Sequence, residues 1–313
     1  MNLKSLKGRS LLTWINFTPE EIRRFLDMAK KTKADSGKSV IRQRFRGKSL
    51  ALIFEKPSLR TRAAFETAFG EEGGHPVFFS GQDARLGGKE SIEDLARSLG
   101  RLFSAVAFRG SRQDDVETIA KFSGLPVYNA LTDSFHPTQA LADYLTLEEE
   151  FGSFKSRKLA YVGDGRNNIA RSLMVICSKM GTDLSIVAPR ALWPDPELKD
   201  VCRTFASESG AVLEVTDDQE EGVRGASALY TDLWVSMGEE SLEEERAEML
   251  LPYQIDAGLM TATGNPRCVF LHCLPAAKGR EVAFDVFEGK QSRVFEQVEN
   301  RKHAIKAIML ATL

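Results

Sequence analysis

Long apolar runs are absent from these 313 residues. The stretches "SLALIF" (49–54) and "KLAYVG" (158–163) are strand-sized, far short of the roughly 18 residues a membrane helix needs, so no membrane partner is expected. Charge of one sign is lacking too. The 42 Lys and Arg residues against 44 Asp and Glu leave a formal net charge of −2, which gives no electrostatic case for nucleic acid. Cysteine is scarce: Cys177, Cys202, Cys268 and Cys273 do not fall at the spacings of a disulfide framework. Cys268-x4-Cys273 has neither a second Cys pair nor a nearby His pair to complete a zinc site, so no metal is expected. The opening "MNLKSLKGRSLLTW" has no secretory apolar core or small-residue cleavage site. A cytoplasmic protein is expected.

What is present is ordinary in bulk, 42% hydrophobic and 27% charged, and long enough for two domains. Thr18-Pro19-Glu20-Glu21 sets a cap, a proline at the first helical position and an acid two residues on, ahead of "IRRFLDMA"; that pattern starts a helix. Apolar strands "SLALIF", "PVFF", "AVAFR" and "PVYN" then alternate with helical stretches such as "SIEDLARSLGRL" and "DDVETIAKFSG". The long helix "HPTQALADYLTLEEEF" follows, and a second series runs through "RKLAYVGDG", "NNIARSLMVICSKMG", "DLSIVAP" and "CVFLHCLP". This alternation predicts an α/β fold of two domains, each a parallel sheet flanked by helices. The polar stretch Gly152–Lys158 is the expected boundary, giving domains 1–150 and 151–313. Ile305, Ile308, Met309 and Thr312 recur at helical spacing, predicting an amphipathic terminal helix over about 299–313.

In open parallel sheets, ligands bind at the carboxyl ends of strands beside helix N-termini. Segments 55–62, Arg109, 133–139, 163–168, 231–240 and 272–275 fall at such ends, and they gather polar residues. In "FEKPSLRTR" (54–62), the N–H groups of a helix start carry partial positive charge. Ser58 and Thr61 add hydroxyls, and Arg60 and Arg62 add forked cations that match phosphate oxygens. A capped helix with solvated arginines fits that segment equally well. Arg109 closes an almost wholly apolar strand, where a charge needs a partner, ligand or protein. The Gly-rich loop 81–91 carries Arg85 and Lys89; it reads as a solvated loop or one that reaches a phosphate.

His136 and Gln139 could polarise a carbonyl oxygen and hold an amide nitrogen, or His136 could simply cap its helix. Cys273 reads as a small buried hydrophobe, since a nucleophile needs a paired base and His272 faces the other side of an extended strand. "GDGRNN" puts Asn168 where a dinucleotide loop needs its third glycine, and no acid ends the next strand. A nicotinamide cofactor is therefore disfavoured. Asn167, Asn168 and Asp232 would instead face a small polar ligand, with Asp232 able to pair with an ammonium; taken alone, "DLWVSMGEE" also reads as a surface loop.

Taken together and in order, "FEKPSLRTR", "HPTQALAD", "VGDGRNN", "DLWVSMGEE", "HCLP" and "VFEQVENRKHAIKAIM" resemble the aspartate/ornithine carbamoyltransferase family over essentially the whole chain. The "SMG" and "HCLP" segments resemble its ornithine-using branch. The resemblance implies transfer of a carbamoyl group from carbamoyl phosphate to the δ-amine of L-ornithine in arginine metabolism, with no cofactor. It implies an N-terminal domain for carbamoyl phosphate, a C-terminal domain for ornithine, and a terminal helix returning to the first. Ser58, Leu59 through its backbone, Arg60, Thr61, Arg85 and Arg109 would hold the phosphate. His136, Pro137, Thr138, Gln139, Cys273, Leu274 and Arg301 would surround the carbamoyl group, with Arg109, His136 and Cys273 closest to the chemistry. Asn168, Asp232, Ser236 and Met237 would hold ornithine. A homotrimer, or a multiple of one, is implied, with the loop around Arg85 reaching a neighbour. Leu59 departs from the family's usual threonine and Arg85 from its glutamine. Another amine substrate, or a non-catalytic paralogue that binds a regulator, stays open from the residues alone.

Overall fold

The computed structural model describes residues 6–36, 42–84, 90–235 and 240–313. They divide into two compact units: residues up to Leu145 together with Glu299–Leu313, and Thr146–Val298. The divisions fall inside two helices, Pro137–Phe151 and Val294–Thr312. The polar stretch 152–158, where composition changes, lies a few residues beyond the first of them.

The first unit is built on β1 (Ser49–Phe54), β2 (His75–Ser80), β3 (Ala105–Arg109) and β4 (Val127–Leu131). They pair in the order β2-β1-β3-β4, all parallel. Five of six residues of β1 and all five of β3 are buried, as expected of strands covered on both faces. Chain order reverses between β1 and β3, so the chain leaves these neighbouring strands toward opposite sides and opens a crevice at their carboxyl ends. Phe54 and Arg109 are register partners there.

The second unit carries β5 (Lys158–Val162), β6 (Asp183–Val187), β7 (Leu213–Thr216), β8 (Ala228–Thr231) and β9 (Val269–His272). The order is β7-β6-β5-β8-β9, again all parallel. Here the reversal lies between β5 and β8. The Thr231 hydroxyl donates to the Val162 carbonyl at 2.6 Å, tying those two strand ends together.

Helix starts follow the sequence signals. Thr18 and Glu21 close a reciprocal capping box, with Thr18 N to Glu21 Oε2 at 3.0 Å and Glu21 N to Thr18 Oγ1 at 3.2 Å. The terminal helix departs from expectation: its residues in the first unit are buried on nearly every side rather than along one stripe. Ala304, Ala307 and Ala311 let neighbours approach closely, the Thr312 and Tyr128 hydroxyls meet at 2.8 Å, and the buried Lys306 reaches Glu71 and Glu72.

Two outcomes follow from this packing. A Cβ on Gly100, inside the helix Ile92–Leu102, would lie 2.1 Å from the Ser123 carbonyl oxygen. Helix propensity favours Ala over Gly by about 1 kcal/mol, whereas forced overpacking costs about 1–3 kcal/mol. Gly100→Ala is therefore expected to lower the Tm, and a higher Tm would mean that propensity wins. The second outcome concerns His303, which burial and then Lys302 pull down to a pKa of about 4. The unfolded chain takes up that proton near 6.5. Stability is thus unaffected well above pH 6.5 and is lost as pH falls toward 4, the loss by pH 5 being at most about 2 kcal/mol. His303→Gln should narrow the gap between the Tm at pH 7.5 and at pH 5; an unchanged gap would remove His303 from the acid sensitivity.

Candidate active site

At the β1–β3 crevice, Ser58 takes an extended conformation (φ −155°, ψ 107°) and its hydroxyl accepts from Thr61 N at 3.4 Å, capping the helix Leu59–Gly70. Capping directs the free N–H groups of the first turn toward the crevice. Leu59, the first residue of that helix, is 81% exposed. Arg60 is half-buried in that turn and Thr61 fully buried. Arg62, also read from sequence as a phosphate-type cation, is turned away: it pairs with Glu66 at 2.9 Å and its guanidinium lies 3.6 Å over the Phe78 ring. The i,i+4 spacing of a helix face sets that choice.

Arg109 ends β3 at 8% exposure, and Arg301 of the terminal helix is 4% exposed. An Arg301 Nη donates to the Thr61 hydroxyl at 3.2 Å across 240 residues of sequence. His136 precedes the helix Pro137–Phe151, and its carbonyl accepts from Gln139 N at 3.1 Å and Ala140 N at 3.2 Å. Its ring, 3% exposed, has a pKa well below the ordinary histidine value, driven first by burial and then by the positive charges of Arg301 and Arg109. His136 is therefore a neutral imidazole under the positive charge of both arginines, with the Thr138 hydroxyl 3.3 Å from Nδ1. The Pro137 carbonyl accepts from Trp14 Nε1 at 2.9 Å. Gln139 is fully buried and donates its amide to Asp143, while its Oε1 has no hydrogen-bond partner among the described residues. Thr61, Arg109, His136 and Arg301, from four distant segments, thus act on one another in the first unit, with Ser58, Arg60 and Gln139 their neighbours along the chain.

The second unit is acidic where the first is basic. Asn168 opens the helix Asn168–Met180, and Asn167 caps it by accepting from Ile169 N at 2.8 Å and Ala170 N at 3.0 Å. The Asn167 amide donates to Asp232 Oδ2 at 3.0 Å. Asp232 Oδ1 accepts from Leu233 N at 2.9 Å and from the Cys273 thiol at 3.1 Å. The Asn167 side chain, expected from sequence to face a small polar ligand, caps a helix and holds the Asp232 carboxylate. Its position before an apolar helix carried that signal. The Cys273–Asp232 contact depends on β8–β9 register and left no local sequence signal.

Leu274 sits at φ +62°, and its N–H donates to His272 Nδ1 at 2.9 Å. His272 Nε2 lies 3.4 Å from the buried Glu281 carboxylate. Among the described residues, Asp232, His272 and Cys273 each offer a ligand-type atom within 4.8 Å of the others. All three already serve protein contacts: Asp232 with Asn167, Leu233 and Cys273, and His272 with Leu274 and Glu281. Burial pushes the Cys268 thiol up to about 12, which leaves it an inert apolar group. Arg85, Lys89, Ser236 and Met237 lie outside the described residues.

Residues 9–149 match the family description "Aspartate/ornithine carbamoyltransferase, carbamoyl-P binding domain", and residues 155–312 match its "Asp/Orn binding domain". An ornithine carbamoyltransferase of Caldanaerobacter subterraneus subsp. tengcongensis is 58% identical over 309 residues, 99% of each chain. A "catabolic" ornithine carbamoyltransferase of Bacillus licheniformis is 46% identical over 99% of this chain and 97% of its own. The solved ornithine carbamoyltransferase of Pyrococcus furiosus superposes with a TM-score of 0.95 at 41% identity, over 98% of this chain and 97% of that one. No described helix is long and apolar enough to cross a membrane. With both units matched end to end, this chain belongs to the aspartate/ornithine carbamoyltransferase family.

Proposed function

We propose that this protein transfers the carbamoyl group of carbamoyl phosphate to the δ-amine of L-ornithine, giving L-citrulline and phosphate. The observation that carries the reading is the convergence of Arg301, Arg109 and His136 on the capped helix start at Ser58–Thr61. A dianionic leaving group fits that arrangement: helix N–H groups, two hydroxyls and forked guanidiniums all donate.

In this reading Ser58, the Leu59 backbone, Arg60, Thr61 and Arg109 hold the phosphate, and Gln139 and Arg301 hold the carbamoyl group. Carbamoyl phosphate arrives activated, so the residues orient it and stabilise charge as it develops on oxygen. Neutral His136 acts as a hydrogen-bond donor to the carbonyl oxygen rather than as a charged acid; the neighbouring arginines supply the charge. No organic cofactor enters the step.

The nucleophile must be a neutral amine. With a reference pKa near ~10.4, only about one alkylamine in ~2,500 is neutral at pH 7. Asp232, fixed by Asn167, Leu233 and Cys273, is suited to orient the α-ammonium, with Asn168, Ser236 and Met237 completing ornithine recognition. Arg85 reaching a neighbouring active site in a homotrimer, a cytoplasmic location and a role in arginine metabolism complete the proposal.

Arg60→Ala should lower kcat/KM by about 10²-fold or more with circular dichroism unchanged, as expected for a lost charge-assisted contact to phosphate; near-normal turnover would remove Arg60 from the phosphate site. Asp232→Asn should raise the KM for ornithine steeply and leave carbamoyl phosphate binding nearly intact. Formation of citrulline, measured across a panel of amines, tests the substrate itself. Faster reaction of aspartate or putrescine would overturn ornithine.

A further inference from the structure

Asp143 has no part in the chemistry above, yet it touches a side chain that does. It lies four residues after Gln139 on the helix Pro137–Phe151, the spacing that sets two side chains over one another. Gln139 Nε2 donates to Asp143 Oδ1 at 2.5 Å, and both residues are 0% exposed. Gln139 belongs to the turn that His136 opens, its backbone N–H donating to the His136 carbonyl at 3.1 Å. Asp143 thus bears on the Gln139 amide one helical turn away from the residues assigned to the carbamoyl group.

A carboxamide has two ends of nearly equal size and opposite sense: an NH2 that donates and an oxygen that accepts. Rotation about its last bond exchanges them with little change of shape. An ionised carboxylate accepts and does not donate, so beside Asp143 the nitrogen is the end that must face it. The Gln139 oxygen is thereby turned away from Asp143.

That orientation bears on which acyl phosphate is held. The guanidiniums of Arg109 and Arg301 only donate, so they recognise phosphate and carbonyl oxygens, which every acyl phosphate carries. Carbamoyl phosphate differs from acetyl phosphate by an NH2 in place of a methyl, and an acceptor is what registers that difference. With its oxygen toward the substrate, Gln139 is such an acceptor. Reversed, it would set one NH2 against another.

We propose that Asp143 is a positioning residue that sets specificity for carbamoyl phosphate, by holding the Gln139 amide with its oxygen toward the carbamoyl NH2. The proposal rests on Gln139 holding the carbamoyl group, as read above. The test compares the KM for carbamoyl phosphate with the Ki of acetyl phosphate as its competitor. Asp143→Asn keeps the shape of the side chain, but its own amide can meet either end of Gln139. It should raise the KM for carbamoyl phosphate about tenfold and change the Ki of acetyl phosphate by less than about twofold, as for the loss of one hydrogen bond. A residue that merely braces the helix would weaken both ligands alike. Asp143→Ser, whose hydroxyl also donates and accepts, repeats the comparison should the first variant fail to fold. In a Gln139→Met background, Asp143→Asn should cost no further preference.

Equal losses for the two acyl phosphates would overturn the proposal, as would an unchanged KM for carbamoyl phosphate or the failure of both replacements to fold. Gln139→Met alone separates the two levels. If it keeps the original preference for carbamoyl over acetyl phosphate, the reading of Gln139 fails; if it abolishes that preference while Asp143→Asn does not, Asp143 alone is dismissed.

Discussion

The bond from the Arg301 guanidinium to the Thr61 hydroxyl, 3.2 Å long, is the constraint on which the first unit's chemistry depends. It fixes the terminal helix against the first turn of the helix that follows β1. Arg301 and Arg109 are both nearly buried and both act on the His136 ring. Like charges confined together repel, and burial removes the water that would screen them. The fold therefore holds a concentration of positive potential that an anion relieves, and the buried imidazole beside it stays neutral. A doubly charged phosphate ester is complementary to that potential; a neutral or cationic ligand is not.

The second unit solves the converse problem with the same topology. Each sheet reverses its strand order once beside its first strand, between β1 and β3 and between β5 and β8, and each reversal opens a crevice at the strand ends. In the first, a hydroxyl-capped helix start and arginines favour anions. In the second, Asp232 is held from three sides by Asn167, Leu233 and Cys273, so a carboxylate stands ready in a fixed orientation for an ammonium. Capping matters in both: Ser58 and Asn167 each satisfy helix N–H groups, and Asn167 couples that task to Asp232 through its other side-chain atom.

Much of this was legible in the sequence because it is local. "SLALIF", "AVAFR" and "KLAYVG" carry the apolar runs of strands buried on both faces, and Thr18-Pro19-Glu20-Glu21 carries its own capping chemistry. The segments at strand ends were identifiable because polar residues cluster where strands hand over to helices. Features set by register or tertiary choice were not legible. Arg62 and Arg60 look alike in "SLRTR", yet the helix turns Arg62 to Glu66 and Phe78. The pairing of Cys273 with Asp232 needs the alignment of β8 with β9 across about 40 residues of intervening chain. The terminal helix reads as one apolar stripe, whereas small alanines and a paired lysine let it be buried on nearly all sides.

The central claim is that the cations and helix N–H groups of the first unit grip a phosphate dianion. The most direct measurement is a crystal structure of the protein with carbamoyl phosphate bound. Phosphate oxygens are predicted within about 3 Å of Ser58, Arg60, Thr61 and Arg109, with the carbamoyl group beside His136, Gln139 and Arg301. A phosphate lodged elsewhere, with these side chains touching only protein, would contradict the claim.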